Sequence, residues 1–146
     1  MTVRHRYIAA SPEAVFAVLA DGWLFPSWVV GASRIRAVDD VWPAVGSKIH
    51  HSFGVWPVVV NDTTSVIAWS APLHAEFEPR GWPLGEARVT IDVKPRGAGC
   101  VVRMEEHATS GPGVLVPEPL MAAAIKLRNR EALQRLAWLA EGGAAR

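Results

Sequence analysis

Cysteine and tyrosine are each present once, as Cys100 and Tyr7, in a chain of 146 residues. A lone thiol forms no internal disulfide and no cysteine-based zinc site. No apolar run is long enough to span a bilayer, and the opening Met1 to Ala10, with Arg4, His5 and Arg6, lacks the continuous apolar stretch of a signal peptide. Neither sign of charge dominates: 15 Lys and Arg against 14 Asp and Glu leave a formal net charge of +1. No stretch of Lys and Arg is dense enough to track phosphates, so no nucleic-acid partner is expected. The histidines show no HExxH spacing, and the adjacent His50 and His51 would face opposite sides of a strand. Gly-x-Ser-x-Gly is absent, and Gly111-Pro112-Gly113 is too short to cradle a phosphate. These absences lead us to expect a cytoplasmic protein with no membrane span, metal or cofactor.

Half the residues are hydrophobic and a fifth are charged, the balance of a globular chain rather than a disordered one. The length suits a single domain over 1–146 with a sizeable core. Seven Trp residues are the compositional oddity. Trp combines a large apolar area with an N–H that needs a partner when buried, so it suits core corners, sheet ends or pocket walls.

Thr2 to Ile8 alternates, with Val3, His5 and Tyr7 opposite Arg4, Arg6 and Ile8, and reads as a strand. Ser11-Pro12-Glu13-Ala14 sets an N-cap, a first-turn Pro and an early carboxylate before Val15, Phe16, Val18 and Leu19. The pattern predicts a helix closing near Asp21-Gly22, with Gly as its left-handed end. Trp23 to Val30 reads as a second short helix interrupted by Pro26. Strands follow: Ser33 to Val41, then Ser47 to Phe53 after the Trp42-Pro43-Ala44-Val45-Gly46 breaker. Val55 to Trp69 is either one strand with a bulge or two with a turn. Leu73 to Arg80 and Ala87 to Lys94 each split cleanly into an apolar and a polar face. Pro95 to Gly99 is a hairpin turn by composition, returning as Cys100 to His107. Ser110 to Pro119, with three Pro and two Gly, is a loop. Leu120 to Glu141 contains neither Gly nor Pro, and Met121, Ile125, Ala132, Leu133, Leu136 and Ala140 recur along one helical stripe. Gly142-Gly143 ends it.

This order of elements resembles the helix-grip proteins, the START-like, Bet v 1-like, polyketide cyclase and dehydrase (SRPBCC) superfamily. The resemblance rests on the opening Ala10-Ser11-Pro12-Glu13-Ala14-Val15-Phe16, the Trp-containing Asp21 to Trp28, the Trp42 to Gly46 turn, and the final helix with Arg128-Asn129-Arg130-Glu131-Ala132-Leu133. It implies an α+β fold: a curved antiparallel sheet of six to seven strands wrapped around a long C-terminal helix, with two short helices after strand one. It also implies an apolar cavity for a lipid, polyketide or similar small molecule. A reaction is not implied, because function lies in sites rather than folds. The chain matches no characterised cyclase motif residue by residue.

The candidate residues follow from face alternation. Cys100, Val102, Met104 and Glu106 share the more apolar face of the last strand, which would place the Glu106 carboxyl at the end of an inward row, its pKa raised by desolvation. The competing reading leaves Glu106 at the rim. His51 shares a face with Ile49 and Phe53, and Tyr7 one with Val3 and His5; both are weaker proton-transfer candidates, since a lone inward His is more often a hydrogen-bonded core residue. On the final helix Asn129 interrupts the apolar stripe between Ile125 and Leu133, and Arg128 borders it. Either could orient a ligand from the cavity floor; the competing reading has Asn129 bonding the sheet and Arg128 solvated. Trp28, Trp56, Trp82, Met104 and Ile125 complete the expected lining. Three functions stay open: binding of a small hydrophobic molecule, a cyclase or dehydratase using Glu106, His51 or Tyr7, and a protein-interaction module with a filled core. Monomer and homodimer are both compatible with the sequence.

Overall fold

The structure is a computed structural model, and it describes residues 2–30, 32–55, 57–81, 85–111, 115 and 117–143. In chain order the elements are β1 (Thr2–Ile8), α1 (Pro12–Ala20), α2 (Phe25–Trp28), β2 (Ala32–Val38), β3 (Lys48–Val55), β4 (Val58–Ser70), β5 (His74–Gly81), β6 (Gly85–Arg96), β7 (Gly99–Ser110) and α3 (Glu118–Gly142). All seven strands join one antiparallel sheet in the order β1-β7-β6-β5-β4-β3-β2. Consecutive strands pair as hairpins, except that β1 and β2 lie at opposite edges. The chain between them must therefore cross the sheet, and α1 and α2 make that crossing while packing against α3. The result is the expected α+β helix-grip arrangement, a curved sheet closed over one long helix.

Local chemistry explains most boundaries. The Ser11 hydroxyl accepts the Ala14 N–H at 3.1 Å and caps α1, with Pro12 in the first turn, where its missing N–H costs nothing. The helix ends differently from the sequence expectation. Asp21, in extended conformation, closes it, and its carboxylate accepts the Trp23 N–H at 3.1 Å to start a single 3-10 turn over Gly22–Leu24. Gly22 serves close packing instead: a Cβ there would lie 2.8 Å from a Val38 methyl on β2. Pro26 likewise opens α2 rather than interrupting a helix. Of the ambiguous segment Val55 to Trp69, Val55 ends β3 and the part from Val58 onward is one strand, β4, with an irregularity between Val66 and Ala68 against β5. The β6–β7 turn is tighter than its composition suggests, since Pro95 and Arg96 still pair with Cys100 and Gly99, leaving Gly97 (φ 58°) and Ala98 to turn. Gly143, at φ 65°, gives α3 its left-handed end.

Alternation then sorts the faces. Ile8, Ile49, Val66, Ala75, Phe77, Ile91, Val93, Cys100, Val102 and Met104 point inward and meet Ala132, Leu133, Leu136, Ala137 and Ala140 of α3. On β1 the inward face is that of Ile8, so Arg4 and Arg6 share it, while His5 is exposed and Tyr7 is half exposed. An inward role for Tyr7 is thereby corrected: the edge strand spends its inward end position on Ile8, and the alternation sends its neighbour out. Trp42 stacks on Phe77 and donates its indole N–H to the Leu19 carbonyl at 3.2 Å, and Trp69 packs edge-on against Phe16. Trp23 and Trp138 are exposed.

The outer face carries a lattice of charges. His74 lies between Asp92 at 2.6 Å and Glu76 at 3.1 Å, while Arg88 pairs with Glu78, Arg103 with Glu105 and Arg80 with Glu86. Hydrogen bonds to Asp92 first, and Glu76 second, raise the His74 pKa above 6.5. With the folded value raised, this contribution to stability is full below pH 6.5 and disappears as pH rises through the folded value. NMR titration should find the His74 ring titrating above 6.5, with Asp92→Asn returning it toward that value. An unchanged midpoint in the variant would show that Asp92 does not set it.

Candidate functional site

Between the sheet and α3 lies a cavity of about 60 Å³. Its walls are Leu19 at the end of α1, Phe25 and Trp28 of α2, Val29 and Val30 beyond it, Trp42, the inward residues Thr64, Phe77, Pro79, Val89, Met104 and Glu106 of the sheet, and Arg128, Asn129 and Ala132 of α3. Most of this surface is apolar. The polar groups are few: Thr64, and a set contributed by β7 and α3 together, Glu106, Arg128 and Asn129.

Glu106 is almost fully buried, and its Oε2 accepts a hydrogen bond from Arg128 Nη2, whose side chain is 40% exposed. The row Cys100, Val102, Met104 and Glu106 does point inward along β7. Arg128 supplies a partner for this inward carboxyl that strand alternation alone does not reveal. A desolvated carboxylate costs far less beside a guanidinium than alone. Asn129, 3% exposed, lies in the stripe of α3 that faces the sheet, and its side-chain NH2 is buried with no hydrogen-bond partner among the described residues. Among the described residues that NH2 makes no bond to the sheet.

His51 is fully buried one layer behind the wall. Its ring stacks on Phe25 at 5.3 Å and its Nε2 is 2.8 Å from the Thr64 hydroxyl. Burial lowers its pKa from 6.5 to about 4, against the opposing pull of Asp62. It is therefore neutral at pH 7, and two wall residues, Phe25 and Thr64, stand on it. Cys100 is buried in the core, and burial raises its thiol pKa.

Of the residues read from sequence, Trp28, Met104, Glu106, Arg128 and Asn129 meet at the cavity. His51 is inward but screened by Phe25 and Thr64. Ile125 is buried on α3, one turn before Asn129, and is not part of the wall. Tyr7 is on the outer face, away from the cavity. Trp56 and Trp82 lie outside the described residues. Leu19, Phe25, Val29, Val30, Trp42, Thr64, Phe77, Pro79, Val89 and Ala132 complete the wall without having been named as lining. Phe77 had a readable signal, its place on the apolar face of a cleanly alternating strand. Thr64 had none, because its role depends on a histidine across the β3–β4 pair.

A larger concavity of about 540 Å³ opens on the surface beside Asp21, Trp23, Asp39, Asp40 and Trp42. Its carboxylates are largely engaged within the protein. Asp21 caps the Trp23 N–H, and Asp39 takes the Lys48 N–H at 2.9 Å and His50 at 3.1 Å, the His50 bond first among the interactions that lower its pKa. Among the described residues no group of three or more His, Cys, Asp or Glu is placed to hold a metal ion, and no helix is long and apolar enough to cross a membrane.

A curved antiparallel sheet closed over a long C-terminal helix, with a mainly apolar cavity between them, makes this a helix-grip protein with an internal pocket. Residues 2–141 match the family model described as polyketide cyclase / dehydrase and lipid transport, and the chain belongs to that family. Solved structures share the fold. A protein from Rhodobacter sphaeroides is 22% identical with a TM-score of 0.72, 96% of this chain and 91% of that one being covered. The di-domain ARO/CYC StfQ of the steffimycin biosynthetic pathway is 11% identical at TM-score 0.73, this chain being covered over 97% and that chain over 50%. Ara h 8.0201 is 11% identical at TM-score 0.71, with 96% of each chain covered. No curated protein sequence matches the chain.

Proposed function

We propose that the protein binds a small hydrophobic molecule, a lipid, polyketide or similar compound, in the cavity between the sheet and α3. The observation that carries this is the composition of the wall: a mostly apolar enclosure with a few polar groups from β7 and α3, the arrangement by which pockets combine affinity with orientation. Family membership and the fold shared with an ARO/CYC and with Ara h 8.0201 support the reading. The cavity is built within one chain, so a monomer suffices. A lone, buried, unpaired cysteine fits a cytoplasmic setting.

The free volume of about 60 Å³ has room for a few waters, whereas pockets for drug-sized ligands occupy roughly 300 Å³ or more. Binding therefore requires the wall to move. The weakest part of it is the segment from Phe25 to Val30, a four-residue helix without a side-chain cap followed by non-helical backbone. So short a helix is held by its packing rather than by its own hydrogen bonds. A saturable ligand should change the fluorescence of Trp28 and Trp42 and slow amide exchange across Phe25 to Val30. Native mass spectrometry of freshly purified protein should show a retained small molecule. If a panel of lipids and aromatic polyketides gave no saturable change and no adduct were found, the binding reading would fail.

A cyclase or dehydratase is the second reading, favoured by one observation: the Glu106 carboxylate, largely shielded from solvent, faces the cavity. Because His51 is screened and Tyr7 faces outward, the acid–base work would rest on Glu106, after release from Arg128. Loss of turnover in Glu106→Gln with ligand binding retained would separate this reading from plain binding.

A further inference from the structure

Resting on the cavity reading above, we infer that the bound molecule carries a neutral carbonyl oxygen that accepts a hydrogen bond from the Asn129 side-chain amide. Asn129 is 97% buried, lines the cavity and leaves its NH2 without a partner among the described residues. An amide NH2 offers two donors, and buried donors are almost always satisfied, because an unmade bond there forfeits hydration with no return. Two other polar groups of the wall, the Trp42 indole N–H and the Thr64 hydroxyl, have partners, whereas Arg4, Arg6 and Arg88 Nε and His107 Nδ1, which also lack one among the described residues, lie outside the wall. A helix devoted only to packing would carry an apolar residue at this position, where Ala132, Leu133 and Leu136 follow on the same stripe.

The neighbouring charges decide the type of acceptor. Arg128 is the cationic group in the wall, and it is already paired with Glu106. An anionic ligand would have to compete with Glu106 for Arg128 and lie beside its carboxylate, and a cationic one would have to compete with Arg128 for Glu106. A ketone, ester or amide oxygen needs neither exchange. It takes the Asn129 N–H while its apolar body meets Phe25, Trp28 and Met104.

Three probes of nearly one shape test this: acetophenone (neutral carbonyl), isopropylbenzene (no acceptor) and benzoate (anion). Titration calorimetry on the full chain should find acetophenone binding about tenfold tighter than isopropylbenzene, the scale of one buried hydrogen bond. Asn129→Leu should cut that preference to less than twofold while isopropylbenzene still binds. In the unmodified protein the Asn129 NH2 resonances should shift with acetophenone and much less with isopropylbenzene, a readout that needs no variant to fold. Equal affinities for acetophenone and isopropylbenzene would overturn the inference and leave the cavity reading standing. Benzoate binding tightest, with loss in Arg128→Met, would overturn it in favour of an anion site. Failure of all three probes to bind at millimolar concentration would count against the cavity reading itself.

Discussion

Lowering the pH from 7 to 4 should cost the protein about 3 kcal/mol through His51 alone. In the unfolded chain this histidine protonates near 6.5, whereas in the folded protein burial holds it neutral down to about 4. Between these values the unfolded state binds the extra proton, so stability falls as pH drops through the interval. Below about 4 both states are protonated and the loss levels off. The sign is opposite to that of His74 on the outer face, whose pKa is raised by carboxylate partners. Denaturant unfolding of the parent and of His51→Gln at both pH values isolates the effect, because Gln can still bond Thr64 but does not titrate in this range. The parent should lose the extra stability and the variant should not. Equal losses in both would remove His51 as the cause. Since Phe25 stacks on the ring and Thr64 bonds it, the cavity wall should loosen first, seen as faster amide exchange in α2 at low pH.

Gly99→Ala should destabilise the protein by about 2 kcal/mol or more, although the change adds only one methyl. A Cβ at this position would lie 2.3 Å from the Ile8 carbonyl oxygen, 2.6 Å from the Tyr7 hydroxyl and 2.8 Å from Tyr7 Cζ. A flexible side chain could move aside, but the Ile8 oxygen is backbone at the end of the β1–β7 ladder, where Ile8 pairs with Cys100. Relief therefore requires β1 to separate from the sheet locally. Tyr7→Ala in the same chain should restore only part of the loss, because it removes the ring and leaves the backbone contact. Thermal unfolding of the two single variants and the double variant reads this directly. A Gly99→Ala protein as stable as the parent would show that the edge strand yields freely. The tyrosine considered in the sequence for proton transfer thus has a structural position, covering a glycine on the outside of the sheet.

Where local chemistry and periodicity agreed, the sequence carried the architecture. Ser11-Pro12 opens α1, the Cys100-to-Glu106 alternation turns those four side chains inward, and the run without Gly or Pro from Leu120 to Glu141 forms most of α3. Its misreadings were positions where a tertiary neighbour overrode a local signal. Gly22 looked like a helix end, but Val38 explains it; Pro95 looked like a turn, but the ladder to β7 extends past it.

The same division runs through the site. Asn129 and Arg128 could be singled out because a polar residue within an apolar helical stripe violates the pattern on its own, and the inward direction of Glu106 followed from the period of a strand. Which of these groups would be paired was not legible, since it depends on α3 and β7 meeting across residues far apart in the chain. Only the folded molecule joins Glu106 to Arg128, leaves the Asn129 NH2 without a partner among the described residues, screens His51 behind Phe25 and turns Tyr7 outward. A side chain's direction is set by its own backbone, whereas its partner is set by whatever other segment the fold brings against it.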